Sequence, residues 1–209
     1  MSDQFDRNVF INCPFDDEYR ALLKPLLFTL RYCRLNPRIA SERLDSLEIR
    51  LDKILEIIQD SKYSIHDLSR IRAGRAGEYY RLNMPLEVGL DLGCKEFHPD
   101  PAYRSKRSLI LEGERFSVLK AVSDLSGADV KCHHNNAEKM VESVRTWLVE
   151  IDQEQIPGPN LIWDDFNFFN ADLYSQFSKN GFKDAQIERL PIPEFLDFMD
   201  YWLKSKQID

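Results

Sequence analysis

"NVFINCPFDDEYRALLKPLLFTLRYCRL", residues 8–35, contains the change of period on which the fold turns. Its first part, Asn8 to Phe15, is a β-branched and aromatic run stopped by Pro14, as expected of a buried strand. Its second part sets Leu22, Leu23, Leu26, Leu27, Leu30 and Cys33 on one stripe at helical spacing. A strand that feeds directly into a helix is half of a βαβ unit. Pro25 removes one helical hydrogen bond, so a kink or break is expected there.

The same alternation continues outward. Residues 37–44 ("PRIASERL") read as a second strand. Residues 45–61 read as a helix with Leu47, Leu51, Ile54, Leu55 and Ile58 inward and Ser46 as its N-cap. "YSIHDLS" (63–69) is a third strand, and the polar 70–83 is a long loop. "RSLILEG" (107–113) is a strand, 116–127 a helix stopped by Gly127, and 128–134 a weak strand. Residues 136–152 form a helix capped by Asn136, with Met140, Val141, Val144, Trp147, Leu148 and Ile151 on its apolar stripe. Strand and helix in strict alternation predict an α/β domain over residues 1–152, a parallel five-stranded sheet with helices on both faces. After the Pro/Gly turn at 153–160, residues 163–202 hold 11 of the 24 aromatic residues, too many for a disordered tail. Residues 153–209 are therefore expected to be a helical extension that packs on the domain or on a partner.

Charge and composition narrow the function classes. A net charge of −7 disfavours nucleic-acid backbones as partners, and no uninterrupted apolar run is long enough to span a membrane. The acidic N-terminus lacks the basic start of a secretory signal, which points to the cytoplasm. Cys13, Cys33, Cys94 and Cys132 lack the short spacing of a zinc knuckle or redox pair, and "CHH" at 132–134 lacks metal-ligand spacing. "GRAG" (73–76) has neither the dinucleotide fingerprint nor the P-loop lysine, so no cofactor is indicated.

In an open parallel sheet, ligands sit outside the carboxyl ends of the strands. The residues there are Asn12, Cys13, Pro14 and Phe15 after the first strand, Glu42 and Arg43 after the second, and His66, Asp67, Ser69 and Arg70 after the third. Glu87, in "LNMPLEVGLDLG" (82–93), begins the next element and belongs to the same rim, with Asn83 before it. Carboxylates, an amide, a hydroxyl and arginines suit a ribose and phosphates better than acyl transfer. Asp67 and Ser69 either hold ribose hydroxyls or cap a turn. Arg70, Arg72, Arg75 and Arg81 either clamp a pyrophosphate or are simply solvated. With Met84 as N-cap and Pro85 first in the helix, Glu87 would be the third residue, where a glutamate also caps backbone amides. Leu86, Val88, Leu90 and Leu92 alternate as in a strand, and Pro85 argues for the helix.

"VFINCPFDDEY", then "YSIHDLSR", then "NMPLEVGL" together resemble the superfamily that joins TIR domains with nucleoside 2-deoxyribosyltransferases, in order of elements from residue 8 to about 150. The "CPF" loop resembles the first box of both branches, and "PLEVGLDLG" the E-x-G segment of the transferases. Asn83 and Met84 depart from the residues that usually precede the glutamate in either branch. The resemblance implies a flavodoxin-like, TIR-like fold and cleavage or exchange of the N-glycosidic bond of NAD or a related nucleotide. Glu87 would be the catalytic glutamate, and the nucleotide a substrate, not a cofactor. It also implies work in bacterial antiviral defence and activity on assembly, for which the aromatic extension would offer a contact with a second copy or a partner protein. A carboxylate beside the anomeric carbon stabilises the positive charge that grows as the C–N bond breaks. A helix amino terminus is expected to lower the Glu87 pKa and keep it ionised. Two alternatives stand beside this reading: a non-catalytic nucleotide-binding or protein-interaction module, and a nucleoside 2-deoxyribosyltransferase.

Overall fold

The computed structural model describes residues 4–42, 47–71, 82–151 and 156–208. Five parallel strands form one sheet: β1 (Asn8–Asn12), β2 (Asn36–Ile39), β3 (Tyr63–Asp67), β4 (Arg107–Glu112) and β5 (Val130–Cys132), in the order β2-β1-β3-β4-β5. Between them run α1 (Arg20–Tyr32), α2 (Arg50–Gln59), α3 (Asn83–Phe97) and α4 (Ser117–Ala121), and α5 (Ala137–Glu150) follows β5. The α/β alternation expected from the sequence is therefore present.

The two-residue period of the strands divides the side chains between two layers. Val9, Ile11, Tyr63, Ile65, Leu109 and Leu111 pack with α1 and α5, whereas Phe10 packs with Ile54, Ile57 and Ile58 of α2. Register fixes which side chains lie abreast: Asn12 pairs with His66, and Asp67 with Leu111.

The C-terminal helices α6 (Pro159–Lys179), α7 (Asp184–Glu188) and α8 (Ile192–Ser205) add a third layer over α1 and α5. Phe28 of α1 meets the rings of Phe166, Phe169 and Trp202, and one continuous core runs from the sheet through α1 into α6 and α8. The extension thus packs on the domain, and most of its aromatic side chains are spent there. This also explains why α1 is buried beyond its leucine stripe, at Phe28, Thr29 and Tyr32.

Several local expectations fail. Helix α1 runs through Pro25 without the break that was one of the two outcomes expected there. The second helix begins only at Arg50, after Ile49, so Leu47 and Leu51 are exposed and Ile57 joins the inward stripe instead. The expected cap, Ser46, lies outside the described residues. The segment 116–127 splits into α4 and a 3-10 turn at Ser123–Leu125, because Val122 leaves helical geometry. Asn136 caps α5 as expected, accepting from the Lys139 amide at 2.9 Å. Among the described residues no helix is long and apolar enough to cross a membrane.

Candidate functional site

The strands β1 and β3 end beside the amino end of α3, and two buried polar networks fix that junction, one on each face of the sheet. On the α3 face, the Asn12 amide donates both to the Met84 carbonyl at 2.9 Å and to His66 Nδ1 at 3.2 Å. Because His66 Nδ1 accepts, its proton is on Nε2, which reaches Asp91 Oδ2 at 3.1 Å. The same carboxylate accepts from Ser64 Oγ at 2.5 Å and Ser108 Oγ at 2.9 Å, and the Lys106 ammonium lies 3.2 Å from its other oxygen. Lys106 is itself completely buried and donates to the carbonyls of Ile58 and Ser61. Burial pushes the Asp91 carboxyl up, but His66, the Lys106 ammonium and Ser64 outweigh it and hold it well below the usual carboxylate range.

On the opposite face, Asp67 accepts from Tyr19 Oη at 2.6 Å and from the Ser69 amide at 2.9 Å. His133 Nδ1 accepts from the Asn135 amide at 3.0 Å, which leaves the proton on Nε2, 3.0 Å from Asp67 Oδ2. Burial raises the Asp67 pKa, but His133, Tyr19 and Ser69 together bring it below the ordinary value. Asp67 is fully buried and Asn12 nearly so. Their side chains are committed to holding the loop ends together, and Asp67 caps the turn that the sequence left open as one of its two readings. Ser69 and Arg70 remain partly exposed at the rim. Arg70 is paired with Glu18 at 2.8 Å and with Asp16 at 3.6 Å. Arg43, Arg72, Arg75 and Arg81 lie outside the described residues.

Glu87 lies between the two anchors of α3, three residues after Met84 and four before Asp91, on the face turned to the sheet. The helix starts two residues earlier than the sequence suggested, with Leu82 as N-cap and Asn83 first. Glu87 is therefore the fifth helical residue, past the free amides of the first turn. Among the described residues no hydrogen bond reaches its carboxylate. Its pKa is raised, not lowered as expected: burial is the largest cause, opposed by the charge of Arg50 and by the neighbouring His66 ring. The chain does have a capping glutamate, Glu112, which accepts from the amides of Phe116 at 2.8 Å and Val118 at 3.1 Å.

Around Glu87 lie Cys13, Arg50 and Phe15. Cys13 is buried, and its thiol is pushed well up by burial and by the charges of Asp67 and Glu87, which favours the protonated form. Pro14 is buried beside it. Phe15 is 45% exposed, and the Arg50 guanidinium sits 5.3 Å from its ring centroid. Arg50, at the first position of α2, escaped the sequence reading because that helix was expected to start five residues earlier. Asn83 is exposed at the head of α3. The rim thus offers a desolvated carboxylate, a guanidinium and an open aromatic face within one corner. A concavity of about 880 Å³ opens at the outer edge of β5 beside Cys132 and His134. The Cys132 thiol there is pushed up chiefly by burial, which leaves it unactivated. No family model matches the chain, nor does any characterised protein or solved structure.

Proposed function

We propose that the rim around Glu87 cleaves or exchanges the N-glycosidic bond of NAD or a related nucleotide, in a domain of TIR-like and deoxyribosyltransferase-like kind. The strand order β2-β1-β3-β4-β5 is that of flavodoxin-like sheets, in which ligands bind at the switch point between β1 and β3. The carboxyl ends of both of those strands and the head of α3 meet there. The observation that carries the proposal is the Glu87 carboxylate, buried and without a hydrogen bond among the described residues. It is held from both sides by the Asn12–Met84 and His66–Asp91 contacts. A structural glutamate in this chain looks different, as Glu112 demonstrates.

In the reaction, the bond between the ribose anomeric carbon and the nicotinamide nitrogen breaks and its electron pair leaves with the base. The pyridinium becomes neutral and needs no acid. Glu87 faces the positive charge left on the sugar, in a site where water screens little. Water adds to that carbon and gives up a proton, which completes hydrolysis; a second base in place of water gives exchange. Arg50 suits a phosphate and Phe15 the plane of a base.

Purified chain is incubated with NAD, NADP and a panel of deoxynucleosides and followed by chromatography, beside Glu87→Gln and Glu87→Ala. Wild type should consume one substrate class, and both variants should be slower by about 100-fold or more. If every folded form leaves the whole panel intact, the glycosidic reading falls for the chain alone, and a binding module or an enzyme that needs a trigger takes its place.

A further inference from the structure

We infer that the outer face of α3 is the contact by which two copies of this chain pair, with their α3 helices antiparallel across a two-fold axis. The inference does not depend on the glycosidic reading, although α3 carries Glu87 on its inner side.

A surface helix ordinarily shows charged residues to water. Helix α5 does: its exposed residues are Glu138, Lys139, Glu142, Val149 and Glu150. The exposed residues of α3 are Asn83, Leu86, Gly89, Leu92, Glu96 and Phe97, with a single charge among them. Leu86 is 55% exposed, Leu92 50% and Phe97 87%, and the N-cap Leu82 is 66% exposed. Together they leave on the order of 400 Å² of apolar surface in water, the scale at which an exposed patch on a monomer marks an interaction site.

The two glycines in the middle of this face add an independent argument. Among the described residues, a side chain at Gly89 would meet nothing within 4 Å, and one at Gly93 only the Phe97 ring, at 3.9 Å. Each glycine costs a helix interior about 1 kcal/mol relative to alanine, and packing among the described residues gives no reason for either. Close approach of another backbone does.

The occupant that fits is a second copy. An antiparallel crossing centred between the glycines sets Gly89 of one helix against Gly93 of the other, and Leu86 beside Phe97. It also brings Glu96, the one charge of the face, toward the positive amino end of the partner helix. The patch supplies about half of the roughly 800 Å² per partner of a standard interface, and the polar rim of such contacts supplies the rest. An isologous contact needs a self-complementary surface, and this one has small residues at its centre and large apolar ones on either side.

Sedimentation velocity of the full chain over a concentration series tests the pairing. Wild type should pass from monomer to dimer mass. Gly89→Leu, which fills open space in the single chain and favours the helix, should raise the dimer dissociation constant roughly 100-fold while circular dichroism stays native. Phe168→Ser, at an exposed aromatic of α6, should leave the dimer intact. The inference is overturned if wild type stays monomeric throughout. It is also overturned if Gly89→Leu pairs as tightly as wild type, or if Phe168→Ser dissociates the dimer and so moves the contact to the C-terminal layer.

Discussion

At Glu87 the cost of burial falls on the ionised form, and this separates its effect on stability from its effect on chemistry. Below the ordinary glutamate pKa of about 4.3, folded and unfolded chains both hold the proton and the site costs nothing. As the pH rises through the window between that value and the raised folded one, deprotonation is dearer in the fold, so stability is lost. Glu87→Gln should therefore be more stable than wild type at neutral pH, and the gap should close toward about pH 4, as read from urea midpoints. A Gln variant less stable at neutral pH would mean that the carboxylate forms a stabilising bond. Pro85 and the place of the segment on the rim marked Glu87 in the sequence, and the family resemblance tipped its reading from a cap toward catalysis. Asp91, Lys106 and Arg50 were not visible there. Asp91 meets Ser64 at a separation of 27 residues, and only the sheet brings such groups together.

Among the elements, α1 shows how context enlarges a pattern. Its leucine stripe announces one buried face, but Phe28 on the other side is completely buried because α6 and α8 cover it. Phe28→Ala should cost about 3–5 kcal/mol in denaturant unfolding, the range for a large buried ring. A loss below about 1 kcal/mol would show that the C-terminal helices do not pack there. Helix α5 was legible to its first residue, since the Asn136 side chain is a local cap. The ends of α2 and α4 were not, because the backbone departs from helix at Ile49 and Val122 without a capping residue to mark it.

At the scale of the molecule, Asp67 and Asp91, two of the four buried carboxylates among the described residues, lie on opposite faces of β3, and both have pKa values below the ordinary aspartate range. A depressed acid contributes stability above its unfolded pKa and loses it as the pH falls through the folded one. Thermal or urea stability should thus be level near neutrality and fall once the pH drops below about 4, as the unfolded chain takes up protons first. Asp91→Asn should flatten part of that fall, at a cost of about 3–5 kcal/mol at neutral pH, because Lys106 stays buried with its charge unanswered. An Asn variant as stable as wild type would mean that Lys106 loses its proton or finds water.

The sequence by itself determined the strand and helix order, the parallel sheet and the rim on which Glu87 stands. Each follows from local periodicity and short-range punctuation by Pro, Gly and Asn. Tertiary structure alone decided which rim residues stay available to a ligand. Asn12 and Asp67 share that rim, yet strand alternation sends them to opposite faces and into separate hydrogen-bond networks. Burial then reversed the expected direction of the Glu87 pKa, because the helix begins at Asn83 and the carboxylate lies beyond its free amides. It was also the third layer that absorbed most of the C-terminal aromatics, while among the described residues the outer face of α3 keeps Leu86, Leu92 and Phe97 in water.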